Sequence, residues 1–314
     1  MKIISLLVVI LISIRIGYSS NNEFKVRKVE VTYIANEGFL IKVGDKKILI
    51  DALFGDKDYG FCDIPTEETM NSILKNEYYF KDIDLITTTH AHVDHFYPPF
   101  VIEHLINNTK GKFISCNQTI EILEKQENYE KIKNNLIEIT PEYFTYLDTT
   151  INSIGVRVYR LTHGPYYTDD PVTGEKINRH QNVQNVGFLF NFDGIKIFHS
   201  GDSDENGMAE YEQFRLDKEN IDIAFLGRGF IWESDCKGIG LVKNYINSKQ
   251  IVLMHIHQDE YNEFNEIANQ LKNELGHIKI FKDKMESETY IFEWAINRYS
   301  KISFLAGVII NKNK

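Results

Sequence analysis

Thr89-His90-Ala91-His92-Val93-Asp94-His95 sets three imidazoles and a carboxylate within six residues, directly after the apolar run Ile83-Asp84-Leu85-Ile86. A strand running into a loop at this point aims alternate side chains to one side, so His90 and His92 can converge on one cation. Asp94 and His95, after the chain turns, can reach a second. Isolated histidines are mostly surface or hydrogen-bonded core residues, and His104, His180 and His277 are read that way. Four donors at one strand exit are different, because neighbouring imidazoles and a carboxylate in a pocket need a common partner. Imidazole with carboxylate suits zinc, and manganese or iron as well.

Outward from this segment the chain reads as two similar halves. Val31 to Val43 and Lys47 to Ile50 flank Gly44-Asp45, and Phe188 to Phe192 and Ile195 to Phe198 flank Asp193-Gly194, each a two-residue hairpin pattern. At an offset of 149, residues 36–48 and 185–197 share six identities in thirteen positions: Asn36/Asn185, Gly38/Gly187, Phe39/Phe188, Leu40/Leu189, Lys47/Lys196 and Ile48/Ile197. That is the mark of an internal duplication. Ile83 to Ile86 and Ile221 to Leu226 follow in corresponding places as buried-strand patterns. Helical periodicity lies between strands: Tyr261, Phe264, Ile267, Leu271 and Leu275 recur at helical steps before Gly276, and Glu121 to Ile132 and the stretch after Pro98-Pro99 also read as helix. No Gly/Ser- or Pro-rich linker divides the chain. An α/β (α+β) fold of two mixed β-sheets packed face to face, with helices on the outer faces, is expected.

By its His-x-His-x-Asp-His spacing the sequence resembles the metallo-β-lactamase superfamily from about Val31 to Phe292. The resemblance implies further ligands at later strand ends, and candidates stand in Leu161-Thr162-His163-Gly164, which closes an alternating strand, Ser200-Gly201-Asp202-Ser203, which follows the second hairpin, and Val252-Leu253-Met254-His255, which ends an apolar run. The resemblance implies a four-layer αβ/βα sandwich built from two related halves. It implies a first metal held by His90, His92 and His163, a second held by Asp94, His95 and His255, and Asp202 bridging them. His257 competes with His255, which is preferred because it directly ends the apolar run. Two Zn²⁺ are expected, with Mn²⁺ or Fe as alternatives. Asp51 resembles a recurrent family aspartate and is expected to accept a hydrogen bond from a ligand imidazole.

What the resemblance implies chemically is a hydrolase that cleaves an ester, lactone, amide or phosphodiester with a metal-bridging hydroxide, which Asp94 orients as a catalytic residue. An aspartate at 202, where true lactamases usually lack one or place a cysteine nearby, resembles the lactonase, phosphodiesterase and phospholipase branches. The pattern is most similar to relatives of L-ascorbate-6-phosphate lactonase and N-acyl-phosphatidylethanolamine phospholipase D. A β-lactam hydrolase, or a non-hydrolytic metal-binding or redox protein on the same scaffold, is the alternative. Specificity is expected in the segment Gly164 to Gln184, with Tyr166, Tyr167, Arg179 and His180. Arg179 there either binds an anionic group or is solvated. Arg228 and Trp232 are candidates for the same mouth, Trp232 with aromatic packing as the favoured role.

The ends and the composition set the remaining expectations. Met1-Lys2, an apolar run from Ile3 to Ile14 and small residues before Asn21 make the pattern of a signal peptide over residues 1–20. Arg15 interrupts the run short of the roughly twenty apolar residues a span needs, so no transmembrane segment is expected after signal removal. The expected order is signal 1–20, metallo-β-lactamase-like domain 24–300 and tail 301–314, with the product secreted or periplasmic. Of 314 residues 43% are hydrophobic and 25% charged, which excludes disorder and a disulfide knot. A net charge of −10 leaves no broad basic face, so a small-molecule or lipid substrate is expected rather than nucleic acid. Cys62, Cys116 and Cys236 show no metal-type spacing, and their pairing stays open.

Overall fold

A computed structural model describes residues 23–232, 237–296 and 307–309. The expected signal segment, most of the expected tail and Cys236 lie outside the described residues, while Cys62 and Cys116 are buried free thiols. The chain divides into a body, residues 30–288, and a smaller unit formed by 1–29 and 289–314.

In the body, β1 (Glu23–Ala35, entering from residue 30), β2 (Gly38–Val43), β3 (Lys46–Ile50), β4 (Leu85–Thr87), β5 (Lys112–Ser115) and β6 (Leu136–Glu138) lie side by side in that order. The second sheet contains β7 (Tyr146–Ile151), β8 (Ile154–Leu161), β11 (Asn185–Phe192), β12 (Ile195–His199), β13 (Ile223–Gly227), β14 (Gln250–Met254) and β15 (Ile278–Ile280), adjacent in the order given. A short arm of β9 (Tyr167–Asp169) and β10 (Lys176–Asn178) leaves it between β8 and β11. In the smaller unit β16 (Ser287–Ile296) pairs antiparallel with β17 (Gly307–Ile309).

The duplication read at an offset of 149 is visible in the strand order. The hairpin β2–β3 is followed by parallel β4 and β5, and the hairpin β11–β12 by parallel β13 and β14. Both turns have the expected two residues, Val43 pairing with Lys46 and Phe192 with Ile195. Asp193 and Gly194 both have positive φ, 48° and 101°, the requirement of a type I′ turn. The run read as one strand from Val31 to Val43 is instead two, because Asn36 at φ 51° turns the chain between β1 and β2.

Alternation along the strands builds the layers. Leu40 and Leu49 point outward into a core shared with Met70, Ile73, Val101, Leu105, Ile120 and Leu123. These come from α1 (Glu67–Leu74), α2 (Pro98–Asn107) and α3 (Asn117–Glu124). Phe39, on the other face, meets Phe225 of the second sheet at 4.7 Å between ring centroids. That sheet buries its outer face against Tyr211 and Phe214 of α4 (Met208–Phe214) and Phe264 and Ala268 of α5 (Tyr261–Gln270). Helix, sheet, sheet, helix is thus the observed layering, as expected. The helix expected up to Leu275 breaks after Gln270 and resumes for one turn, Lys272–Leu275, before Gly276 at φ 79°. The Glu121 to Ile132 helix is likewise two pieces, interrupted at Asn128 with φ 70°. No helix among the described residues is long and apolar enough to cross a membrane.

His104 is the hydrogen-bonded core histidine it was read to be. Its Nδ1–H donates to Ile73 O at 2.7 Å, and Asn108 Nδ2 donates to its Nε2 at 3.3 Å. Burial lowers its pKa to about 4, so the ring is neutral and both nitrogens are engaged.

Candidate metal centre

Parallel sheets collect functional groups where their strands end, because the loops there are the only segments free of pairing constraints. The loop after β4 carries His90, His92, Asp94 and His95, the residues after β8 carry His163, those after β12 carry Asp202, and β14 ends at His255. The structure brings all seven together. Donor atoms of His90, His92, His163 and Asp202 lie within 4.8 Å of one another. So do those of Asp94, His95, Asp202 and His255, and Asp202 belongs to both groups. His257 is elsewhere: it caps a short turn through Asp259 N and faces Asp63 at 3.8 Å.

Hydrogen-bond partners assign the tautomers. Thr89 donates to Asp51 twice, from its backbone N to Oδ1 at 2.8 Å and from Oγ1 to Oδ2 at 2.7 Å. With its own proton committed, Thr89 Oγ1 accepts from His90 Nδ1 at 3.1 Å, and Asp51 Oδ2 accepts from His95 Nδ1 at 3.0 Å. Gly164 O accepts from His163 Nδ1 at 2.7 Å. With Nδ1 engaged in each ring, the atom left to bind a cation is Nε2, and all three Nε2 atoms face the same space. Those of His90 and His163 are only 3.3 Å apart, while His95 Nε2 and Asp202 Oδ1 are buried with no hydrogen-bond partner. Lone pairs crowded this closely, beside orphaned acceptors, call for a cation between them.

The electrostatics agree. Burial, reinforced by neighbouring imidazoles, pushes His90 well below its ordinary pKa and His92 to about 4. At His95 burial acts the same way, but Asp202, Asp94 and Asp51 outweigh it and raise the pKa well above the usual value. Burial opposes ionisation of Asp94 and Asp202, yet His95 and His255 hold both well below the ordinary carboxylate range. His90 and His92 as neutral imidazoles and Asp94 and Asp202 as ionised carboxylates are in the forms a divalent cation binds, whereas His95 gives up a proton to bind one.

Backbone strain locates the same place. Asp51 and His255 adopt positive φ, 42° and 59°, which side chains other than glycine rarely do. His255 N bonds across to Asn36 O at 3.4 Å, tying β14 to the first hairpin. Gly201, at φ 54°, lies so close to the first half that a Cβ would stand 2.5 Å from Asn185 Oδ1 and 2.8 Å from Thr89 Cβ. Only glycine lets Asp202 reach the cluster by this route.

Several residues were not singled out beforehand. Asn36 Nδ2 donates to Asp94 Oδ2 at 3.3 Å and to Asp94 O at 3.3 Å. Glu37 is fully buried, 3.8 Å from His95 Nδ1, and neither carboxyl oxygen receives a hydrogen bond. Burial and the adjacent Asp202 carboxylate raise its pKa well above the usual range. A cue existed: the duplication sets Glu37 opposite Val186, a carboxylate at a position that is apolar in the other half. His180, read as an ordinary histidine, stands beside the cluster, 4.3 Å from the His163 ring and 4.8 Å from that of His92, with Nδ1 bonded to Gly164 O at 2.9 Å.

The family model described as a β-lactamase superfamily domain matches residues 30–255, which takes in all seven residues. The chain belongs to the β-lactamase superfamily. Among solved structures this superfamily member is similar to Igni18, described as a novel metallo hydrolase from the hyperthermophilic archaeon Ignicoccus hospitalis, at 19% identity and a TM-score of 0.57 over 83% of this chain and 98% of that one. It is similar to the metallo-β-lactamase fold protein YhfI from Bacillus subtilis, at 14% identity and a TM-score of 0.51 over 84% and 99% of the two chains. CmlA, a diiron β-hydroxylase from Streptomyces venezuelae, is similar at 13% identity and a TM-score of 0.50 over 84% of this chain and 53% of that one. Identities this low speak for the fold. No curated protein sequence matches the chain.

Proposed function

We propose that this superfamily member is a metal-dependent hydrolase with two divalent cations, zinc first among the candidates, acting on an ester, lactone or phosphodiester. The observation that carries the reading is the pair of donor groups with Asp202 common to both. His90, His92 and His163 would hold one cation, Asp94, His95 and His255 the other. Cations so placed lower the pKa of water toward neutrality and polarise the oxygen of the bond under attack. The protein's own part is to fix the donors and to handle protons. Asp51 and Gly164 O hold the rings in the tautomer that presents Nε2. Asn36 pins Asp94, whose Oδ2 lies 3.5 Å from both His95 Nε2 and His255 Nε2, where it can orient the attacking water and receive its proton.

Two divalent cations per chain in the purified protein, with ester or phosphodiester hydrolysis lost on chelation and restored by zinc or manganese, is the expected result. One cation, or none, with unchanged turnover would overturn it. Iron with a visible absorption band would favour the redox reading, to which the likeness to CmlA lends the fold alone. A β-lactam in the same panel tests the other alternative. The similarity in pattern to the ascorbate-6-phosphate lactonase and phospholipase D branch is at subfamily level, so a lactone and a phospholipid phosphodiester both belong in the panel. The apolar leader at residues 1–20 supports export, which the N-terminal sequence of the mature product checks.

Asp51 should matter through His95. Asp51→Asn keeps the shape but removes the charge behind the ring, and a roughly tenfold loss of metal affinity is expected from weakening such a support. A chelator-competition titration measures it.

A further inference from the structure

The cleft over the donor cluster, of about 400 Å³, has His92, Asp94, Asp202 and His255 as its floor and Phe61, Ala91, Val93 and His180 as its walls. Phe61 is 56% exposed and Val93 48% exposed, although both are large apolar side chains beside an otherwise polar centre. The Phe61 ring leans on Tyr59 at 5.9 Å between centroids, so it is held upright at the rim. No lysine or arginine is among the residues lining this cleft. The two arginines expected at this mouth have partners elsewhere. Arg179 donates from Nε to Thr168 Oγ1 at 2.7 Å on the β9–β10 arm, and Arg228 pairs with Glu260 and lies over the Trp232 ring at 4.7 Å. The loop that carries Phe61 also carries Asp56, Asp58 and Asp63 against one lysine, Lys57, whose Nζ lies over the Tyr59 ring at 5.7 Å, and so is net negative.

We propose that the cleft takes neutral esters or lactones whose acyl group is apolar, with the acyl chain packed on Phe61 and Val93, and disfavours phosphodiesters and sugar phosphates. This rests on the hydrolase reading above and narrows its substrate class. The cations would attract a phosphoryl group as well as a carbonyl, but no lysine or arginine in the lining adds to that for the remaining phosphate charge, whereas an apolar chain gains by covering exposed aromatic and branched surface. In the reaction the water oxygen bonds to the acyl carbon, the bond from that carbon to the ester oxygen breaks, and a water proton passes to the departing oxygen. Carboxylic acid and alcohol result, with no other reactant.

The test uses metal-reconstituted full-length protein with p-nitrophenyl acetate, p-nitrophenyl octanoate and bis-p-nitrophenyl phosphate. Octanoate is expected to exceed acetate in kcat/KM by about tenfold or more, mainly through KM, and Phe61→Ser should lower that octanoate-to-acetate ratio by about tenfold. A ratio near one, a ratio unmoved by Phe61→Ser, or preference for the phosphodiester would overturn the proposal while leaving the hydrolase reading intact. Absence of all turnover would instead sink the hydrolase reading. Calorimetric binding of octanoate and acetate to the same protein then decides the cleft by itself: tighter octanoate, weakened by Phe61→Ser, supports it, and equal affinities refute it.

Discussion

Asp202→Ala is expected to empty the centre of metal and to lower turnover by on the order of a thousandfold. Asp202 Oδ2 lies 3.4 Å from His163 Nε2, 3.7 Å from His90 Nε2 and 3.6 Å from His255 Nε2, and Oδ1 lies 3.5 Å from His95 Nε2. Among the described residues no other side chain belongs to both donor groups. Removing it leaves three neutral imidazoles on one side and a single carboxylate on the other, too little charge to hold two divalent cations side by side. Metal analysis of the purified variant reads the first effect and ester hydrolysis the second, with circular dichroism to show that the fold survives. His257→Ala is the matched control, because that ring faces Asp63 and lies outside both groups. Two cations retained in Asp202→Ala would refute the shared role given to this aspartate.

Much of this centre was legible because strand ends leave marks in a sequence. Apolar runs that stop at His163, Asp202 and His255 are visible without coordinates, since a buried strand is a continuous run and its exit is where polar residues resume. The repeat across Asn36 and Asn185 exposed the two-sheet design for a similar reason: related hairpins place related turns. What stayed hidden depends on approach between segments remote in sequence. His180 follows turn-forming residues that read as a solvated loop, and only the course of the β9–β10 arm returns it to the cluster. Arg179, left open between anion binding and solvation, has its Nε bonded to Thr168 Oγ1 on the arm, a contact that no local pattern marks. Phe61 sits between glycine and cysteine in a loop without periodicity, so nothing local separates a substrate wall from an exposed ring. Glu37 is the instructive omission, because a carboxylate next to a turn is ordinarily solvent-facing.

That burial has a measurable consequence: Glu37→Gln is expected to stabilise the metal-free protein at neutral pH, and hardly at all near pH 4.5. The folded-state pKa of Glu37 is raised by burial and by Asp202, with Asp51 adding to the effect and His95 opposing it. A carboxyl with a raised folded pKa must hold its proton in the native state while the unfolded chain releases it. Its unfavourable contribution is therefore absent below the unfolded pKa. It grows by about 1.4 kcal/mol for each pH unit above that point until the folded pKa is reached. Glutamine removes this linkage and brings an N–H donor for the orphaned Asp202 Oδ1. Urea unfolding of both metal-free proteins at pH 4.5 and pH 7 reads the difference. Cations at the neighbouring donors would offset the same negative charge, so the gain should shrink when zinc is restored. An equal gain at both pH values would show that the glutamine acts through packing alone, and a loss at pH 7 would mean that Glu37 is ionised and paired in the folded chain.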